Sequence, residues 1–222
     1  SSQYIKNDAA IIYEDIINHG YVMNKFDFRQ NHKKCNIYNG KINYAIPLIK
    51  HCNKQIAEEL YELRNNQYNN FTELLYDIAE KTSVNSRQLD ILIKLDYFRE
   101  FGNSKALTQI VEYFNLFKQG KVKQINADKV KDNLILKNII KRCSRLSPSG
   151  KTYMDLNTKQ ILNEIEEWIK CNITKDYSIQ EKMEFQQEYL GYIDLTTEKE
   201  EDRRKLLVLS VRPLVSQKTN KT

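Results

Sequence analysis

Apolar residues recur at helical spacing over most of the chain. In residues 4–18, Ile5, Ala9, Ile12 and Ile16 share one face, and Gly20 stands where a left-handed residue closes a helix. The period then changes. Ile37, Tyr38, Asn39, Gly40, Lys41, Ile42, Asn43 and Tyr44 place Asn-Gly between two short runs, which predicts a two-residue hairpin turn with positive φ at both centres. Helical spacing returns at residues 45–50 and 54–64, around a turn at His51, Cys52 and Asn53. Residues 71–109 predict two amphipathic helices about a sharp turn. In the second, Val84, Leu89, Ile91, Leu92, Ile93 and Leu95 mix with Arg87, Gln88 and Lys94, and Ser86 is the expected N-cap. The chain turns again at residues 96–98, Gly102 ends that turn, and Asn103 or Ser104 caps a helix through Leu107, Ile110, Val111 and Phe114.

Residues 118–151 are basic, with Lys118, Lys121, Lys123, Lys129, Lys131, Lys137, Lys141, Arg142, Arg145 and Lys151 offset by Asp128 and Asp132. Val130, Leu134, Ile135, Ile139 and Ile140 keep a helical apolar face, so this stretch is either a solvated helix surface or a phosphate contact. Ser147, Pro148, Ser149 and Gly150 predict a loop and an internal boundary. Residues 158–169 form an amphipathic helix with Ile161, Leu162, Ile165 and Trp168 inward and Glu164, Glu166 and Glu167 outward. Ser178 with Glu181 forms a capping box.

At 222 residues the chain is long enough for a sizeable core. Little Pro or Gly and a mean hydropathy of −0.66 fit a mostly helical soluble protein. A net charge of +6 suits an anionic partner. The four cysteines lie far apart, which argues against zinc fingers and redox pairs and fits reduced thiols in cytoplasm. No apolar run is long enough to span a membrane. Ser149-Gly150-Lys151-Thr152 lacks the earlier glycine and preceding strand of a phosphate loop. His19, His32 and His51 show no metal-ligand spacing, and neither a nucleophile constellation nor paired aspartates for two-metal chemistry stand out.

The run LIKLDYFREFGNSKALTQ, preceded by YVMNKFDF, NIYNGKINYAIPLIK and KQIAEELYELR, resembles the helix-hairpin-helix region of the bacterial replicative DNA polymerase III alpha subunit. The likeness runs from about residue 5 to 117 and more loosely from 178 to 215. There EKMEFQQEYLGYIDL is similar to the helix before the family's oligonucleotide-binding barrel, and RRKLLVLSVRPL to that barrel's first strand. The chain departs from the family at Lys50-His51-Cys52-Asn53, where glycines are usual, so this turn is either a phosphate contact or a purely structural hairpin. Asn53 is the residue expected to tolerate positive φ.

The expectation is a mainly α fold: a tandem helix-hairpin-helix with one small β-hairpin and a possible C-terminal barrel strand. Residues 1–44 would form a fingers-like end with the β-hairpin, 45–117 the tandem region, 118–150 a basic helical connector, 151–202 a helical segment, and 203–222 an incomplete barrel start. The whole reads as a non-catalytic piece of a longer protein. The resemblance implies a grip on duplex DNA through Lys50, His51, Asn53, Lys54, Asn85, Arg87, Lys94, Asn103 and Lys105. It also implies a sliding clamp as partner, with Asn115, Leu116 and Phe117 either a clamp-binding plug or the end of a buried helix face. Further implied partners are the remainder of the polymerase; the chain needs no cofactor, and Mg2+ would belong to the parent's absent palm. The alternative is a phage or mobile-element replication adaptor that binds the clamp or another replication protein, with little DNA affinity.

Overall fold

The computed structural model describes residues 2–118 and 122–194. Helix α1 (Ser2–Asn18) ends as its glycine requires: Gly20 takes φ +79°, its amide donates to Ile17 and that of Tyr21 to Ile16, which satisfies the last carbonyls. The expected apolar stripe is turned, because Ile12 is 60% exposed and the packed side runs through Tyr13 and Ile16. Tyr13 fixes that orientation by stacking on Tyr192 at 4.4 Å and donating its hydroxyl to Asp194 at 2.8 Å.

The Asn-Gly turn forms as its sequence demands, with φ +50° at Asn39 and +74° at Gly40. It joins β2 (Asn36–Tyr38) to β3 (Lys41–Asn43), and the short β1 (Val22–Met23) adds to β3 in parallel. Residues 46–48 form only a 3-10 turn rather than the expected helix, because Pro47 donates no amide and Ile49 is already extended. Helices α2 (Lys54–Leu63), α3 (Phe71–Lys81), α4 (Ser86–Lys94) and α5 (Ser104–Lys118) follow. Asparagine side chains cap each of them: Asn53, Asn70, Asn85 and Asn103 accept from the amide three residues on. At α4 the cap is Asn85 rather than Ser86, and Gln88 returns the bond to close a capping box.

The stretch expected to be a basic helical connector contains a second small sheet as well as a helix. Strand β4 (Gln124–Asn126) precedes α6 (Leu134–Arg142), which is followed by β5 (Arg145–Leu146) and β6 (Thr152–Met154), in the order β4-β6-β5. The Ser147-to-Gly150 loop is therefore a hairpin turn. Because β4 from before it pairs with β6 from after it, the chain does not divide there. Arg142 and Arg145 pair with Glu164 and Asp155 at the surface. Helices α7 (Thr158–Asn172) and α8 (Ile179–Tyr189) complete the described fold, and the capping box of Ser178 and Glu181 forms. The expected barrel strand at 203–222 lies outside the described residues. Among the described residues, no helix is long and apolar enough to cross a membrane.

Among the described residues the fold is mainly α, with two three-stranded sheets in place of one hairpin. One core runs through it. Phe28, Phe71, Tyr97, Phe98 and Phe101 meet near its centre with ring separations of 4.9–6.4 Å. Around that centre, polar side chains fix how the helices meet. Glu166, expected to face solvent, is 1% exposed: it accepts from the amides of Phe71 and Thr72 at 2.7 Å each and from the Thr72 hydroxyl at 2.6 Å, and Lys170 pairs with it at 2.6 Å. Its carboxylate thus plugs the amino end of α3, where the helix dipole favours negative charge. Lys182 of α8 lies between Asp96 at 2.9 Å and Asp176 at 2.7 Å, and although burial opposes its charge, the two carboxylates hold its pKa above the ordinary lysine value.

Glu166→Ala leaves two amides, one hydroxyl and the Lys170 ammonium without their acceptor. We expect a loss of about 3–5 kcal/mol in urea unfolding, with Glu166→Gln losing less because its carbonyl still accepts.

Candidate nucleic-acid interface

The turn between the 3-10 segment and α2 is held by apolar residues on both sides. Ile49 and Ile56 are buried, and half-buried Cys52 packs against the same core, a setting that pushes its thiol up to about 11. With Cys52 turned inward, the backbone must reverse at His51, which takes φ +70°. Histidine, not the asparagine expected from sequence, thus fills the left-handed position. Asn53 is extended, with φ −142°, and serves as N-cap instead. The turn is braced from two other helices. The Lys50 amide donates to the Tyr189 carbonyl at 3.0 Å, and Gln88, itself 6% exposed, donates to the His51 carbonyl at 3.1 Å.

Arg87 lies 2.8 Å from Nε2 of His51, which accepts its hydrogen bond when the imidazole is neutral. Lost hydration, together with the charges of Arg87 and Lys50, holds the His51 pKa below its ordinary value, against a smaller pull from Glu188. Lys50, His51, Asn53 and Lys54 are all exposed. Asn53 satisfies the Ile56 amide, which leaves the first-turn amides of Lys54 and Gln55 to other partners. The amino ends of α3 and α5 differ, because Glu166 closes the first and Asp176 accepts from the Lys105 amide at the second. The arrangement sets Lys50, Arg87, a titratable histidine and Lys54, which pairs with Glu58 at 3.6 Å, at one helix start, where the first-turn amides favour an anion.

Residues 20–108 match the helix-hairpin-helix motif. A comparison with curated proteins finds no match. The motif covers the turn at 50–53, the helices α2, α3 and α4, and the first residues of α5, and it supports a DNA-binding unit in this part of the chain. Within it, the structure brings Lys50, His51, Asn53, Lys54 and Arg87 together, with Asn85 at the foot of α4 as its cap.

The other three expected contacts lie elsewhere. Lys94 is at the far end of α4, eight residues and ~12 Å from its start, paired with Asp90 at 2.7 Å and set over the Phe185 ring. Asn103 caps α5 while donating to the Ile173 carbonyl, and the backbone of Lys105 is tied to Asp176. These residues hold α4 and α5 against the C-terminal helices.

Sequence reading passed over one signal. Between Phe28 and Ala57 there are six Lys and Arg and no Asp or Glu, so a second basic stretch, besides 118–151, lies ahead of and within the hairpin. Arg29 is spent internally on Glu100 and on the carbonyls of Arg64 and Asn66, while Lys33, Lys34, Lys41 and Lys50 remain around the surface together with Lys54, which has Glu58 one turn on at 3.6 Å. Among the described residues, no group of three His, Cys, Asp or Glu could hold a metal ion.

Asn115, Leu116 and Phe117 do not form a plug. They continue α5, where neighbours point about 100° apart, so Phe117 enters the core at 1% exposure while Leu116 is 55% exposed and Asn115 faces solvent. Phe117→Ala should cost about 3–5 kcal/mol in thermal or urea unfolding, whereas Leu116→Ala should change stability by less than ~0.5 kcal/mol.

Proposed function

We propose that this chain grips the backbone of duplex DNA through the hairpin at residues 50–53 and the amino end of α2, without reading base sequence. The observation that carries the reading is the His51 turn, braced by Gln88 and flanked by Lys50, Lys54 and Arg87, inside the segment that matches the helix-hairpin-helix motif. A phosphate oxygen needs only donors and positive charge, and neither depends on the base attached. The resemblance of the surrounding segments supports a finer reading: a non-catalytic DNA-holding portion of a C-family replicative polymerase, whose catalytic Mg2+ would sit in a palm elsewhere in the parent. The clamp is not reached through Asn115, Leu116 and Phe117 in this reading, since Phe117 belongs to the core.

A second reading, the replication adaptor that binds protein more than DNA, draws on an open groove of about 630 Å³ between α6 and α7, lined by Ile135, Ile139, Trp168 and Cys171.

Fluorescence anisotropy with a labelled duplex separates the two readings. A backbone grip predicts binding at low salt that weakens steeply as salt rises, equal affinity for unrelated sequences, and a salt slope shallower by roughly 1–2 in a Lys50→Gln/Lys54→Gln variant. No binding at low salt would leave the adaptor reading standing alone.

His51 adds a pH dependence. Its pKa lies below the usual value in the free protein, and a nearby phosphate favours the protonated ring, so binding takes up a proton. Affinity should therefore rise as pH falls from about 7.5 to about 5.5, and His51→Gln should flatten that rise.

A further inference from the structure

The β2–β3 hairpin carries side chains that the core does not explain. At its tip, Tyr38 and Lys41 are cross-strand partners and so share a face, and Tyr38 is 50% exposed. Ile37, on the opposite face, is 69% exposed. Closer to the base of the hairpin the same face as Tyr38 is committed inward, with buried Asn43 bonded to Asn36 and to Asn24. The hairpin therefore has a fixed root and an uncovered aromatic tip. Its surroundings are basic: Lys33, Lys34 and Lys41 lie in the acid-free segment that leads directly into the DNA-binding turn.

The two regions are also linked in space. Lys33 places its ammonium 3.8 Å from the ring centre of Tyr61, against which the Arg64 guanidinium also rests at 3.4 Å. Tyr61 is seven residues after Lys54, so the two share one stripe of α2, ~10 Å apart along its axis. Along α2 itself Glu58, Glu59 and Glu62 intervene, so the positive charge at its far end is that of Lys33 and Arg64 against Tyr61, beside the segment that bears β2. Exposed aromatic surface beside lysines suits unpaired bases, each of which offers a π face for stacking and a phosphate for the cations.

We propose that the β2–β3 hairpin is a second nucleic-acid contact, at which Tyr38 stacks on an unpaired base and Lys33, Lys34 and Lys41 meet the adjoining phosphates, so that the chain prefers a duplex with a single-stranded extension. This rests on the reading that the 50–53 hairpin holds duplex backbone. The extension passes over the hairpin tip. Ile37 supplies apolar surface to the sugar or base on the other side.

The test compares the whole 222-residue chain on a blunt duplex and on the same duplex with a short oligothymidine extension, by fluorescence anisotropy. The extension should tighten binding by roughly tenfold, the scale of one base stacked on an aromatic ring. Tyr38→Ala should remove most of that gain without changing blunt-duplex affinity or the melting temperature, and Tyr38→Phe should keep it. Lys50→Gln/Lys54→Gln should weaken both probes alike. Equal wild-type affinity for the two probes, or a gain that survives in Tyr38→Ala, overturns the second contact while leaving the duplex grip intact. If neither probe binds, both fall.

Discussion

Glu166 carries a carboxylate into the interior, and the packing of α7 against α3 depends on how that charge is met. A buried carboxylate without partners costs several kcal/mol, so it is tolerated only where donors converge. Here they do: two first-turn amides and a hydroxyl from α3, and Lys170 one turn along α7 itself. The bond is directional in a way that apolar contact is not. It sets both the height and the rotation of α7 relative to α3, and Asn70 touches Asn163 at the same junction. With α7 fixed, α5 and α6 have a surface to pack against and the aromatic centre around Phe98 is closed.

The same logic distinguishes the helix starts from one another. Every helix in this fold begins with amides that need acceptors. At α3 and α5 the protein supplies carboxylates of its own, Glu166 and Asp176, and both ends become joints between distant parts of the chain. At α2 the protein supplies one asparagine, with lysines, an arginine and a histidine near the remaining amides, a setting that suits an anion from outside under the proposed backbone grip. In the proposed reading, joint and binding site are built from one device, the difference being which partner carries the negative charge. Two side chains of α4, Gln88 and Arg87, fix the His51 carbonyl and its ring.

Histidine at the left-handed turn position has a consequence of its own. A glycine there would let a strand approach the bare backbone, whereas His51 adds bulk and a group whose charge follows pH. The strain of positive φ in a residue with a side chain is modest and is held by three bonds: the Lys50 and Cys52 amides donate to the carbonyls of Tyr189 and Ile49, and Gln88 donates to the His51 carbonyl.

The sequence by itself determined the elements whose signals are local. Asn39-Gly40 forced a tight hairpin, Gly20 closed α1, Ser178 with Glu181 opened α8, and the spacing of Leu89, Ile91, Leu92 and Ile93 made α4. These follow from backbone sterics and from short side chains bonding to amides three residues away, and neither needs a distant partner. Strands of two or three residues, such as β1, β5 and β6, carry too little alternation to be read and exist only because a partner strand lies beside them. Tertiary structure alone decided that Glu166 turns inward while Glu167 stays in water, that Phe117 is core and Leu116 is not, and that Arg87 meets His51 while Lys94 does not. In each case the residue type allows both outcomes. The choice rests on which group, from dozens of residues away, arrives to satisfy a charge or cover an apolar face.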